Sequence, residues 1–328
     1  MEALFRENSS QDAIAQARLQ QDFLNTITSI IKKPKRLKKN IRRLDIYMKN
    51  SFLEINFQIE GISPLMKATS ESKVLNEILQ HERIDVNFRD ADGRTCLFSA
   101  VKCPHIHSLG SLISHGAYVD LKDNNGRTSL SLAAELGQLD HVKILLDSDA
   151  AINSTDLKGW TPLFWAVSSR RSETIRYMLS IESTDNEHRD LIGRTPLVAA
   201  AETGDNGIIR YLIDARSKGR KIFHVERDLL IWSIFQRDIV TAQLLLEIDK
   251  SLANHRVKGR SPLSMATELG HIEITRLLIG SGADLDAVDE IQWPPLCRWL
   301  FATYLPHDDI LLEIENFSLL KIHQQRSL

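Results

Sequence analysis

The sequence predicts an all-α solenoid of about eight to nine helix–turn–helix units joined by short hairpin loops, and three observations predict it. First, one eight-residue phrase keeps returning: GISPLMKA from Gly61, GRTCLFSA from Gly93, GRTSLSLA from Gly126, GWTPLFWA from Gly159, GRTPLVAA from Gly193 and GRSPLSMA from Gly259. The steps are 32, 33, 33, 34 and 66, the last being two times 33. Second, residues 126–146 (GRTSLSLAAELGQLDHVKILL) and 259–279 (GRSPLSMATELGHIEITRLLI) share nine of 21 positions. Third, each period holds two apolar runs of helical character with a turn between them. A repeat of this length is one supersecondary unit that cannot bury its apolar face alone, so neighbours must stack.

In chain order, residues 1–60 come first. SQDAIAQARLQQDFLNTITSII (10–31) sets Ile14, Ala17, Phe23, Leu24, Ile27 and Ile30 at helical spacing, and IRRLDIYM (41–48) forms a second amphipathic piece. EINFQIEG (54–61) matches DVNFRDADG (85–93) with one residue missing, so residues ~10–60 read as a degenerate first repeat with a lengthened first helix, capping the array. The array itself spans 61–312. In each unit Gly permits positive φ in the turn, Thr or Ser caps the first helix, and Pro fits its first turn. Ala100, Ala133, Ala166 and Ala200 allow close helix packing, and Gly137, Gly204 and Gly270 end the first helix. Second helices follow, as in HVKILL (141–146), IRYML (175–179) and ITRLLI (274–279). ERDLLIWS (226–233) and QWPPLCRW (292–299) are worn copies. Beyond Asp308 and Asp309, ILLEIENFSLL opens as the eighth unit's second helix and runs into a C-terminal helix or tail, 313–328, either folded back on itself or an oligomer or partner surface.

The period and phrase together resemble the ankyrin repeat, whose signature is G-x-T-P-L-H-x-A over 33 residues, and the likeness covers residues 61 to about 312. One departure is uniform: the His slot holds Met66, Phe98, Ser131, Phe164, Val198, Ile231, Ser264 and Cys297, so the hydrogen bonds of that His are absent or replaced. The resemblance implies a protein-binding array whose hairpin tips and first helices line a concave face. Just after the turn glycine come Ile62, Arg94, Arg127, Trp160, Arg194, Arg227, Arg260 and Trp293. Arg and Trp are the commonest interface anchors. This row, with Lys158 beside it, predicts a groove for a protein partner bearing an acidic segment, and Trp160 is expected to be exposed. Lys122, Arg89, Arg189 and Lys258 flank the same hairpins. The competing structural reading is intra-repeat pairing, since Glu135, Glu202 and Glu268 follow Arg127, Arg194 and Arg260 by eight residues.

Composition narrows the function class. Hydrophobic residues at 43% and charged residues at 26% suit a soluble globular chain, and net charge −2 gives no global field toward nucleic acid or membrane. Three cysteines are too few for a disulfide framework, so a reducing compartment is expected, cytoplasmic and/or nuclear. The opening MEALFRENSS lacks the pattern of a secretion leader, and no apolar run reaches membrane-span length. Residues 32–43, KKPKRLKKNIRR, carry eight basic residues in twelve. Lys32, Lys33, Lys35, Arg36, Lys38 and Lys39 form a candidate nuclear localisation signal, or else a solvated connector. The segment lacks the interleaved aromatics of a single-strand binder. CPHIH (103–107) offers Cys103, His105 and His107, but a zinc site wants four ligands, and Cys297 lies about six repeats away; an irregular turn is expected, with no metal and no cofactor.

No nucleotide loop, GxSxG elbow or His-Glu metal motif occurs, so the expected function is a non-enzymatic scaffold. Three alternatives stand beside it. They are a nuclear adaptor imported through 32–43, an enzyme using the groove around Trp160 as a small-molecule pocket, and a truncated relative of a larger receptor.

Overall fold

A computed structural model describes residues 2–32, 37–50, 54–59, 61–103, 105–217, 225–257, 259–288 and 294–295. The chain forms two compact units, Met1–Pro196 and Leu197–Leu328. In the first, α1 (Glu2–Lys32) and α2 (Leu37–Lys49) precede four helix pairs. These are α3 (Pro64–Ala68) with α4 (Ser72–Leu79), α5 (Cys96–Lys102) with α6 (Ile106–Ser114), α7 (Ser129–Leu136) with α8 (Leu139–Asp147), and α9 (Pro162–Ser168) with α10 (Ser172–Leu179). The second unit holds α11 (Pro196–Thr203), whose first residue closes the first unit, α12 (Asn206–Ser217), α13 (Val225–Phe235) and α14 (Ile239–Ile248). A 3-10 turn (Lys250–Asn254), α15 (Pro262–Glu268) and α16 (Ile272–Gly280) follow. The fold is an all-α ankyrin-type solenoid. Among the described residues the hairpin loops are hydrogen-bonded turns rather than strands, with isolated bridges at Ile59–Ile62 and Val257–Arg260.

Helices α3, α7, α9 and α15 start as the repeated phrase dictates, whereas Thr95 makes no side-chain capping bond at α5. Thr161 sits in extended backbone, its Oγ1 accepts the Phe164 amide (3.3 Å), and Pro162 occupies the first turn, where no donor is missed. Ser63 and Ser261 do the same for Met66 and Ser264 (3.1 Å each). Helix α7 ends on Gly137 at φ 74°, with the Gln138 amide returning to the Ala133 carbonyl (3.0 Å).

Stacking then buries one face. In the first unit α3, α5, α7 and α9 pack in sequence, and α4, α6, α8 and α10 form a second row. In the second unit α13 packs on α15, and α12, α14 and α16 form the second row. Leu97, Leu130, Leu163, Leu197, Leu230 and Leu263 are buried; each stabilises by roughly 2 kcal/mol. The alanine slot is sealed everywhere it is described, including Ser233 in the worn copy. In the His slot, Met66, Phe98 and Phe164 are buried, while Ser131 exchanges bonds with Thr128 in a capping box and Ser264 Oγ donates to the Ser261 carbonyl (2.8 Å). Apolar packing and hydroxyl caps thus replace the imidazole.

The first helix of the chain differs from its apolar pattern. Phe23, Ile27 and Ile30 are buried, with Phe23 tilted against Tyr47 (5.9 Å) and Phe57 (6.5 Å), yet Ile14 and Ala17 are exposed. Helix α1 packs on α2 and α3. The eighth unit's second helix, the 313–328 tail, Trp293, Cys297 and Lys258 lie outside the described residues.

Candidate functional site

The loops ahead of the first helices are built on one residue type. Asp90, Asp123, Asp156 and Asp190 each stand three positions before the turn glycine and accept the amide four residues on: Arg94 (2.7 Å), Arg127 (2.9 Å), Trp160 (2.9 Å) and Arg194 (2.8 Å). Successive loops are laced together by backbone: the Asn124 amide donates to the Asp92 carbonyl (2.9 Å), Leu157 to Asn125 (3.0 Å) and Leu191 to Lys158 (3.2 Å). The approach is close. A Cβ on Gly126 or Gly159, both at φ 75°, would lie 3.0 Å from the amide nitrogen of Leu157 or Leu191.

On this frame the first unit carries an aromatic–cation cluster. The Trp160 ring stacks on Phe164 (5.2 Å) and meets Trp165 edge-on (4.7 Å). Arg127 Cζ lies 3.8 Å from the Trp165 centroid, Lys158 Nζ lies 5.1 Å from Trp160 and 5.5 Å from Trp165, and Arg194 Cζ lies 5.7 Å from Trp160. Both indoles are tied down. Trp165 Nε1 donates to Asp156 Oδ2 (3.0 Å) and Trp160 Nε1 to Asp190 Oδ2 (3.2 Å). Trp160 is therefore half-buried rather than freely exposed, because its indole is shared between the stack and a buried carboxylate.

The arginines divide. Arg127 pairs with Glu135 and Arg260 with Glu268, on the eight-residue spacing. Arg194 pairs with Asp190 (2.9 Å), whose side chain is 1% exposed, and Arg94 with Asp92 (2.9 Å) on the surface. Burial pushes the Asp190 carboxyl up, but the Arg194 amide, side chain and charge and the Ile192 amide outweigh it and hold it below its ordinary value. Arg227 does not match the others: it stands inside α13, since Glu226 and Leu229 replace the glycine and proline that stop a helix from extending upstream. Its side chain lies outside the described residues, as do Lys33, Lys35 and Arg36 and the side chains of Lys38 and Lys39. Lys32 ends α1 and is exposed.

Beside Arg94 lies an open groove of about 410 Å³, with Ile62, Met66 and Phe98 on its apolar side and Lys67, Arg94 and Lys102 at its polar side. Cys103 follows α5, and an exposed His105 precedes α6 without a side-chain capping bond. Burial drives the Cys96 thiol up to about 12, which leaves it inert as a nucleophile. Among the described residues no group of His, Cys, Asp or Glu has the makings of a metal site, and no helix is long and apolar enough to cross a membrane.

Two features of the frame escape a reading of the sequence by phrase alone. Trp165 and Asp190 complete the Trp160 cluster from other positions of the unit and from the next loop. A row of asparagines bridges neighbouring units: Asn87 to Gly116 and Tyr118, Asn153 to Ser183 and Asp185, Asn254 to Gly282 and Asp284. Its signal is a small-or-apolar residue followed by Asn in the same register, as in Val86-Asn87 and, two periods on, Ile152-Asn153.

Comparison with family models agrees with this architecture. A model of ankyrin repeats in three copies matches residues 65–156, 105–190 and 130–223, and a model of the single ankyrin repeat matches 258–290. The matched segments together cover more than half of the chain. Comparison with curated proteins gives no match.

Proposed function

Because the chain belongs to the ankyrin repeat family, whose arrays are generally protein–protein interaction modules, we propose that it is a non-enzymatic scaffold. It grips a protein partner along the face made by its loops and first helices. The observation that carries this reading is the Trp160–Trp165 cluster, where two indoles, Arg127 and Arg194 are fixed by Asp156, Asp190 and Glu135 before any partner arrives. Anchors already held in place lose little freedom on binding, so more of the contact energy goes into affinity. Residues 1–60 act in this reading as the cap of the array, consistent with α1 lying against α3.

The test is affinity capture with the wild-type chain and an Arg94→Glu, Lys158→Glu double variant. Both side chains reach solvent, so the fold is retained, which circular dichroism checks. A protein recovered by the wild type and lost from the variant is expected. An identical set from both chains overturns the assignment of this face.

A further inference from the structure

The two residues between the loop aspartate and its glycine form the outermost tip of each loop. Along the first unit these pairs are Ala91-Asp92, Asn124-Asn125, Leu157-Lys158 and Leu191-Ile192. The first two tips are small or polar. The next two place three large aliphatic side chains in water: Leu157 is 69% exposed, Leu191 78% and Ile192 75%. Nothing in the fold requires this. Each tip is shaped by its aspartate and by backbone bonds, and Asn125 or Asp92 serves as well at the same place. Desolvating three such side chains on neighbouring, laced tips is favourable only when something covers them.

The surrounding charge says what. Lys122, Lys158 and Arg189 are exposed around these tips. Lys122 Nζ donates to the Thr155 carbonyl (2.7 Å), Arg189 Nη1 to the Gly193 carbonyl (3.0 Å), and Lys158 hangs over the Trp160 ring. The loop carboxylates Asp156 and Asp190 are already spent on amides, indoles and Arg194. The tips therefore show an apolar strip with a cationic border.

We propose that Leu157, Leu191 and Ile192, bordered by Lys122, Lys158 and Arg189, dock an extended segment of a partner protein in which large apolar residues alternate with or adjoin carboxylates. The inference rests on the scaffold reading above and names the chemistry of its partner. Apolar burial at the tips supplies affinity, and the border selects acidic sequences and rejects basic ones.

The experiment uses the full chain as bait for a displayed library of random peptides of about a dozen residues. Enriched peptides are expected to combine large apolar residues with Asp or Glu. Their affinity should fall about tenfold or more with Leu191→Ser, Ile192→Ser, and similarly with Lys158→Glu. It should weaken with added salt and be unchanged by Tyr118→Ser, another exposed site. Unchanged helical circular dichroism and urea midpoint verify that the variants fold. Peptides that ignore the tip variants but respond to Arg94→Glu overturn the tip assignment and leave the scaffold reading standing. So does a library that enriches nothing while an intact protein is still captured in a way that Arg94→Glu abolishes and Leu191→Ser, Ile192→Ser leaves unchanged. A dimer in sedimentation that Leu191→Ser, Ile192→Ser dissolves assigns the tips to a second copy and overturns the proposal. No peptide and no captured protein removes both readings.

Discussion

The Asp190 carboxylate accepts hydrogen bonds from the Ile192 and Arg194 amides, the Trp160 indole and the Arg194 guanidinium. Asp190→Asn keeps an acceptor but removes the charge that Arg194 faces. It should cost about 3 kcal/mol in urea unfolding and shift tryptophan emission to the red as Trp160 loosens. Since the folded pKa lies below the unfolded one, the stability from this group is complete above 3.8 and is lost as pH falls through the depressed folded value. Histidines act at a higher pH. Burial lowers His141 against the pull of Asp140 and the Cys103 carbonyl, and burial with Arg237 lowers His271. Both are favoured neutral in the fold, so their contribution is complete above 6.5 and declines as pH drops below it toward their folded values. A His141→Gln chain should show a shallower loss of urea midpoint below pH 6.5 than the wild type.

At the scale of elements, what sets the stack is the space between first helices and the approach of one loop to the next. Ala133 in α7 is fully buried, with α5 and α9 packed on that helix. Ala133→Leu overfills the contact and should destabilise by about 1–3 kcal/mol in a urea titration. Gly126→Ala places a methyl 3.0 Å from the Leu157 amide at φ 75°, so a loss of about 1–2 kcal/mol is expected. These positions were legible in the sequence because the period repeats them: glycine, cap, proline, leucine and alanine recur together, and every copy strengthens the reading. The Arg127–Glu135 pair was legible too, because a loop residue and a helix residue of one unit recur at a fixed spacing. The Trp160 cluster was not. Its partner Asp190 lies 30 residues away, in the following loop, and only stacking brings the two together. Arg227 was placed wrongly in register with the turn arginines because counting by 33 ignored the missing glycine and proline, and without them α13 begins at Val225.

For the whole molecule, the energetics follow from neighbours touching neighbours. Within Met1–Pro196, damage at one helix pair should spread to the adjoining pairs and fade beyond them. Amide hydrogen exchange of the Ala133→Leu chain should speed up most in α5 to α9 and least in α1; a uniform increase would show that the unit unfolds only as one block. The loop row has a consequence of its own. Its geometry is held by an inward aspartate and by main-chain bonds, with Asn124 Nδ2 adding a bond to the Ala91 carbonyl (2.9 Å), while the aliphatic tips Leu157, Leu191 and Ile192 take no part in holding it. Frame and message are separable there. Residues 157, 191 and 192 can be rewritten like letters on a fixed line, so that descendants of this chain could acquire new addressees without renegotiating their architecture.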